Sequence, residues 1–184
     1  MGKELEQVLM AGFGGQGILF LGKVVAEVGM AIGKNVSWIP SYGPEMRGGT
    51  ANCSVVISEP EIASPIVNEP DTLIAMNKPS VAKFEPKLKS DGIMIYNSSI
   101  IDNKEFRSDI KVYAVPASKI AGELGNDKVA NIVMVGAYAR LGGAIEQEDV
   151  LKTFPRLIPE SKKAMLQVNL DALKKGYEFA ESLQ

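Results

Sequence analysis

The stretch that decides the fold is Gly12-Phe13-Gly14-Gly15-Gln16-Gly17, which we call the glycine turn. A short apolar run at residues 6–11 precedes it and predicts a buried strand. Apolar residues recur at helical spacing through residues 18–33 and predict a helix directly after it. Gly12, Gly14 and Gly17 therefore match the G-x-G-x-x-G pattern between a strand and a helix, the context that a phosphate-binding turn requires.

The glycine turn predicts an anion site, and each glycine has its own reason to be there. Gly12 permits the tight turn, Gly14 lets the backbone approach a phosphate, and Gly17 lets the helix pack close to the strand. Free N–H groups and the helix dipole then favour a bound anion. The alternative interpretation is an ordinary βα turn in which glycine serves backbone geometry alone.

The glycine turn does not by itself specify a dinucleotide such as NAD or FAD. Dinucleotide-binding domains place Asp or Glu about 20 residues further on, at the end of the second strand, to bond the adenosine ribose. That region reads Ser37-Trp38-Ile39-Pro40, and Glu27 falls inside the predicted helix. The pattern therefore indicates phosphate binding without indicating NAD.

The rest of the chain alternates strands with helices and then becomes helical. Apolar patterns predict strands at residues 36–39, 50–58, 71–76, 92–96 and 111–115, and a short antiparallel edge strand at 61–67. Helices are predicted at residues 79–84, 129–141, 146–154 and 159–182. We therefore expect one domain over residues 1–184, an α/β fold with three α/β/α layers. Its sheet is mostly parallel and Rossmann-like, with an antiparallel edge, and the C-terminal third is helical.

Composition narrows the chemistry that this chain supplies. It has 184 residues with 46% hydrophobic and 23% charged, a net charge of −2, one cysteine (Cys53) and no histidine. The missing histidine removes the commonest general base and metal ligand, and one thiol cannot hold a cluster. The scattered lysine doublets form no basic stripe, so we expect no nucleic-acid binding. No segment is typical of a signal peptide or a membrane span, and we expect a cytoplasmic protein.

A second loop, Ser41 to Thr50, follows the second predicted strand and reads SYGPEMRGGT. In a parallel sheet this loop lies at the carboxyl edge, beside the glycine turn. Arg47 is suited to pair with a phosphate and Tyr42 to stack on a flat ring. The alternative is a surface loop in which Arg47 pairs with Glu45. Polar residues at 77–80 and 97–99 also end strands at this edge, where helix caps and turns are the stronger interpretation.

Five segments together resemble a known family. They are GFGGQG at residues 12–17, WIPSYGPEMRGGTANCSVVIS at 38–58, SPIV at 64–67, DTLIAMNKPS at 71–80 and IMIYNSS at 93–99. In this order they resemble the gamma subunit of 2-oxoacid:ferredoxin oxidoreductases, over residues 8–140. The second loop, with Glu-Met-Arg-Gly-Gly, looks most like the 2-oxoglutarate branch. The pyruvate and indolepyruvate branches share the glycine turn but usually differ in this loop.

The resemblance implies a role in oxidative decarboxylation of a 2-oxoacid to an acyl-CoA, with electrons passed to ferredoxin. It places thiamine diphosphate and Mg²⁺ on alpha and beta subunits, and iron–sulfur clusters on beta or on a small delta subunit. The gamma-type domain is implicated in binding or enclosing CoA. By this resemblance Gly12, Gly14, Gly15, Gln16 and Gly17 face the CoA phosphates. Also by resemblance, the adjoining pocket or a subunit contact is shaped by Tyr42, Glu45, Met46, Arg47 and Gly48.

Three hypotheses remain at this point. The first is a subunit, not catalytic alone, that helps bind CoA in a hetero-oligomeric oxidoreductase. The second is a free-standing nucleotide-dependent oxidoreductase, which would need an acid at the end of the second strand. The third is a structural assembly subunit whose glycine turn contacts a neighbouring chain and no ligand.

Overall fold

The computed structural model describes residues 4–41, 50–102 and 105–184 and contains a six-stranded sheet. The strands are β1 (Leu5–Phe13), β2 (Asn35–Ser41), β3 (Thr50–Ser58), β4 (Thr72–Ala75), β5 (Ile93–Asn97) and β6 (Lys111–Val115). The helices are α1 (Ile18–Ala31), α2 (Lys78–Phe84), α3 (Ala117–Glu123), α4 (Ala130–Leu141), α5 (Gln147–Leu157) and α6 (Leu166–Glu181). Short 3-10 helices occupy Glu85–Lys87, Asp127–Val129 and Glu160–Met165.

The spatial order of the strands is β2-β3-β1-β4-β5-β6. The strands β1, β4, β5 and β6 are parallel, whereas β3 is antiparallel to both β1 and β2. This confirms the predicted α/β class, the mostly parallel sheet and its antiparallel edge. The strand–helix–strand order over residues 6–39 predicts that β1 and β2 form a parallel pair, and this prediction is wrong, because the alternating strand β3 lies between them.

The strand predicted at residues 61–67 is absent, and this segment has no regular secondary structure. Pro60, Pro65 and Pro70 remove N–H donors that a ladder needs, and Ile66 is 63% exposed. The antiparallel edge is instead the β2–β3 pair. The sequence patterns also missed α3, because this helix has only seven residues and buries few apolar side chains.

Helices cover the two faces of the sheet unequally. Val8 and Met10 of β1 point into a large core shared with α1, α3, α4, α5 and α6. Leu9 and Ala11 point to the other face, where a smaller core includes Val81 of α2. The alternation along β1 is the reason that one strand serves both cores. Most of the C-terminal helical third therefore lies on the α1 face.

The predicted helix at residues 159–182 is divided into the 3-10 helix Glu160–Met165 and α6. Within the described residues, no helix combines the length and apolar character needed to cross a membrane.

Candidate functional site

The carboxyl ends of β1 and β4 meet at the point where the chain changes faces of the sheet. After β1 the chain enters α1 on the large-core face, and after β4 it enters α2 on the other face. In open α/β sheets, ligands bind in the crevice outside the strand ends at such a switch point. The glycine turn follows β1 and therefore lies at this crevice.

The backbone of the glycine turn needs glycine at particular places. Gly15 and Gly17 have φ angles of 93° and 72°, which lie in the left-handed region. Gly12 is the last buried residue of β1, and a Cβ there would come within 2.6 Å of Gln16 Oε1 and 2.9 Å of Met76 Cβ. Gly14 and Gly15 are exposed at the tip of the turn. Close packing therefore requires glycine at residue 12, where a tight turn was predicted, and a left-handed backbone requires it at residue 17, where close packing was predicted.

Gln16 links the glycine turn to the end of β4. Its Oε1 accepts from the Phe13 N–H at 2.6 Å, and its Nε2 donates to the Met76 carbonyl at 3.1 Å. The Gln16 N–H also donates to the Phe13 carbonyl at 3.2 Å. The family resemblance assigns Gln16 to a ligand. Both polar atoms of its side chain are instead hydrogen-bonded within the protein.

Asn131 supports the glycine turn from α4, although its position in the sequence is 114 residues away. Its Nδ2 donates to the Gly17 carbonyl at 3.1 Å, and it is only 5% exposed. A Cβ on Gly17 would collide with this amide. Sequence analysis missed Asn131, and its one signal was a lone amide inside an otherwise apolar helix.

The glycine turn presents backbone donors without acceptors. Over the described ranges, the N–H groups of Gly14, Gly15 and Gly17 donate to no protein atom. The first N–H groups of α1 also lack partners within the helix, as they do at the start of any α-helix. No acidic residue lies in the first turn of α1. Free backbone N–H groups at a helix N-terminus favour a bound anion. The residues present therefore fit a phosphate.

The second loop begins and ends at the same edge as the glycine turn. Ser41 pairs with Asn52, and Thr50 pairs with Phe13, the residue that precedes Gly14. The predicted site residues of this loop lie outside the described residues, and they are Tyr42, Glu45, Met46, Arg47 and Gly48. Their roles stay predictions.

The two polar strand ends form caps and turns, as their stronger interpretation predicts. Asn77 caps α2 by accepting from the Ser80 N–H at 2.8 Å. Asn97 accepts from the N–H groups of Ser99 and Ser118 and donates to the Ser118 hydroxyl at 2.8 Å. The polar atoms of Asn97 are thus used within the protein.

The side chains of the described residues offer limited reaction chemistry. Burial raises the pKa of the Cys53 thiol to about 12, so it is a neutral thiol at physiological pH. No group of three or more Asp, Glu and Cys side chains is arranged for a metal ion in the part of the chain that the structure describes. The site is therefore best suited to binding an anion through the backbone.

Two sequence relatives match nearly all of this chain. Ketoisovalerate oxidoreductase subunit VorA of Methanothermobacter marburgensis is 37% identical over 95% of this chain and 36% of its own length. The chain thus spans about a third of that relative. 2-Oxoglutarate synthase subunit KorC of Methanocaldococcus jannaschii is 32% identical, over 98% of this chain and 97% of the relative.

Two solved structures share the fold. The gamma subunit of a keto/oxoacid ferredoxin oxidoreductase from Geobacter sulfurreducens has a TM-score of 0.83 and 28% identity, covering 96% of this chain and 99% of that one. A 2-oxoglutarate:ferredoxin oxidoreductase from Magnetococcus marinus, solved with 2-oxoglutarate, coenzyme A and succinyl-CoA, has a TM-score of 0.90 at 23% identity. That match covers 99% of this chain and 32% of the other. With the Pyruvate ferredoxin/flavodoxin oxidoreductase family profile matching residues 7–179, the chain belongs to that family.

Proposed function

We propose that this chain is the gamma subunit of a 2-oxoacid:ferredoxin oxidoreductase and that its glycine turn binds a phosphate of CoA. The observation that carries the proposal is the set of N–H groups at Gly14, Gly15 and Gly17, which have no acceptor among the described residues and lie at the switch point of a sheet of this family. The Magnetococcus marinus enzyme, which shares the fold, was solved with CoA bound and supports the choice of ligand. Tyr42 and Arg47 are proposed to complete the site from the second loop.

The proposed substrate is 2-oxoglutarate, which would yield succinyl-CoA. The Glu45-Met46-Arg47-Gly48-Gly49 segment resembles that branch, and KorC matches the chain over nearly its whole length. Ketoisovalerate is the second candidate, because VorA has the higher identity of the two relatives. The pyruvate and indolepyruvate branches fit the second loop less well.

The proposal places the remaining chemistry on partner subunits. Thiamine diphosphate, Mg²⁺ and iron–sulfur clusters would belong to alpha, beta and possibly delta subunits, which would also reduce ferredoxin. A chain with no histidine and a single buried cysteine is consistent with that division. This subunit would bind and orient CoA while its partners carry out decarboxylation and electron transfer.

The proposal is tested with Gly14→Val in the chain assembled with its co-purifying subunits. A branched side chain at residue 14 fills the space through which a phosphate approaches the N–H groups. We expect the apparent KM for CoA to rise roughly tenfold or more. The KM for the 2-oxoacid, and ferredoxin reduction at saturating CoA, should stay the same. Ferredoxin reduction measured against CoA concentration is the readout.

Gly122→Val is the matched control for this experiment. Gly122 is exposed on α3, and a Cβ there would meet only Asp127 Oδ1, at 3.3 Å. An unchanged KM for CoA in the Gly14 variant would contradict the CoA role. Turnover of a 2-oxoacid by the isolated chain would contradict its assignment as a gamma subunit. A higher kcat/KM for ketoisovalerate than for 2-oxoglutarate would select the second substrate candidate.

A further inference from the structure

A groove of about 570 Å³ lies beside the glycine turn, between α1, α4 and the chain that joins α5 to α6. Phe20, Ile132 and Ile158 form part of its apolar surface. Lys23, Lys128 and Lys162 also line it, and we call it the lysine groove. Its volume falls within the range of small-molecule sites, which is roughly 300–1,000 Å³.

The charges at the lysine groove are unbalanced. Lys23 comes from α1, and Lys128 and Lys162 come from two separate 3-10 helices. Within the described ranges, none of the three forms an ion pair, and no carboxylate lines the groove. Glu160, two residues from Lys162, pairs with Lys163 instead. Three exposed lysines therefore line an apolar surface without an ion-pair partner among the described residues.

Asn131 lines the lysine groove and has one side-chain polar atom without a partner among the described residues. Asn131 Nδ2 donates to the Gly17 carbonyl, so Oδ1 is the side-chain atom that remains to accept a hydrogen bond. This oxygen is buried and has no hydrogen-bond partner among the described residues. A buried acceptor of this kind is satisfied by an N–H or O–H donor.

We propose that the lysine groove is a binding site for a small organic anion with an apolar body and an acidic group at one end. The apolar surface removes the body of the ligand from water, and the three lysines neutralise its acidic group. This site uses side chains, whereas the glycine turn uses backbone N–H groups, and it does not depend on the proposed CoA role.

The test measures binding of two fluorescent probes to the full chain. One is 8-anilinonaphthalene-1-sulfonate, and the other is N-phenyl-1-naphthylamine, which has the same rings and N–H without the sulfonate. We expect saturable binding of the sulfonate probe, with a Kd roughly tenfold below that of the neutral probe. The variant Lys23→Gln/Lys128→Gln/Lys162→Gln should lose that preference while still binding the neutral probe.

The control variant Lys111→Gln/Lys119→Gln/Lys174→Gln removes the same charge from exposed lysines elsewhere and should keep the preference. Raising the ionic strength of the unmodified chain should weaken the sulfonate probe alone, since salt screens exposed charges. Gly14→Val should leave both probes unaffected, which separates this site from the CoA proposal. Equal affinity for the two probes, or equal loss in both triple variants, would overturn the inference.

Discussion

Gln16 matches the family motif, but its side chain has a structural role that the motif does not indicate. The motif places Gln16 among residues expected to face a CoA phosphate. In the structure its amide oxygen and nitrogen join the Phe13 N–H to the Met76 carbonyl. A single sequence cannot show this, because Met76 lies 60 positions away and becomes a neighbour only when β1 and β4 pair. Gln16 therefore holds the two strand ends that form the crevice.

Replacing Gln16 by Glu tests this supporting role with almost no change of shape. The carboxylate keeps an acceptor for the Phe13 N–H but places an oxygen against the Met76 carbonyl, where a donor stood. We expect a loss of about 1–3 kcal/mol in the free energy of unfolding at neutral pH, because the buried carbonyl loses its donor and faces a charge. Urea unfolding monitored by circular dichroism measures it.

The effect of Gln16→Glu should shrink when the new carboxyl is protonated. Near pH 4 its O–H can donate to the Met76 carbonyl, so the difference from the unmodified chain should diminish. A destabilisation that is the same at neutral and acidic pH would contradict the hydrogen-bond explanation.

At the scale of elements, two glycines set the distance between α4 and α6. A Cβ on Gly136 would collide with the carbonyl of Leu173, and a Cβ on Gly176 would collide with the carbonyl of Val133. In both cases the obstacle is backbone of the opposite helix, which has no rotamer to change. Gly136 and Gly176 therefore allow the backbones of α4 and α6 to approach closely.

Gly136→Ala should force these helices apart. We expect a loss of about 3 kcal/mol in the free energy of unfolding, because added volume meets rigid backbone. Thermal and urea unfolding of the purified chain measure it. Gly122→Ala is the matched control on exposed α3 and should be neutral or slightly stabilising, since Ala is the better helix former. Similar losses in both variants would contradict the close-contact explanation.

The strands and helices predicted from the sequence agree with the structure where the hydrophobic pattern is long or strictly alternating. Strand β3 was predicted with its observed bounds, Thr50–Ser58, because every second residue is apolar. Strand order was not predictable in this way, since alternation fixes which face is buried but not which neighbour pairs. The second loop was expected beside the glycine turn, and the pairing of Thr50 with Phe13 places the end of that loop there.

At the scale of the whole molecule, the proposed anion site and a buried polar network around Glu6 occupy different parts of the structure. Glu6, near the start of β1, accepts from the Thr72 hydroxyl at 2.7 Å and from the Tyr138 hydroxyl at 3.0 Å. Burial, with Glu6 beside it, raises the pKa of Tyr138 well above its usual range. This network joins β1, β4 and α4 in the interior, whereas the glycine turn lies at the far end of β1. No sequence pattern indicates this network, because its three members are distant in the chain.

Cys53 lies in the large core between β3 and α1. Its titration at alkaline pH therefore tests how well the core excludes water. Its Sγ lies 3.5 Å from the Ile18 carbonyl and 3.8 Å from Met10 Sδ, and burial raises its pKa from 9.0 to about 12. A pKa that is higher in the folded chain gives stability that is complete below pH 9.0 and is lost as the pH rises towards 12. The interior therefore opposes formation of the thiolate.

We expect Cys53→Ala and Cys53→Ser to flatten the alkaline loss of stability, because neither side chain titrates in this range. Cys53 should contribute up to about 1.4 kcal/mol per pH unit to the fall in the free energy of unfolding above pH 9. The rest of the chain is the same in all three proteins, so its contribution to the pH dependence cancels in the comparison. Each variant should be less stable than the unmodified chain near pH 8, because the core loses packing, and this gap should close or reverse near pH 11. Urea unfolding across that range measures the difference in the free energy of unfolding between each variant and the unmodified chain. Parallel pH dependences for the three proteins would contradict the prediction. They would mean that the thiol is hydrated and that the core around β3 is less closely packed than in this structure.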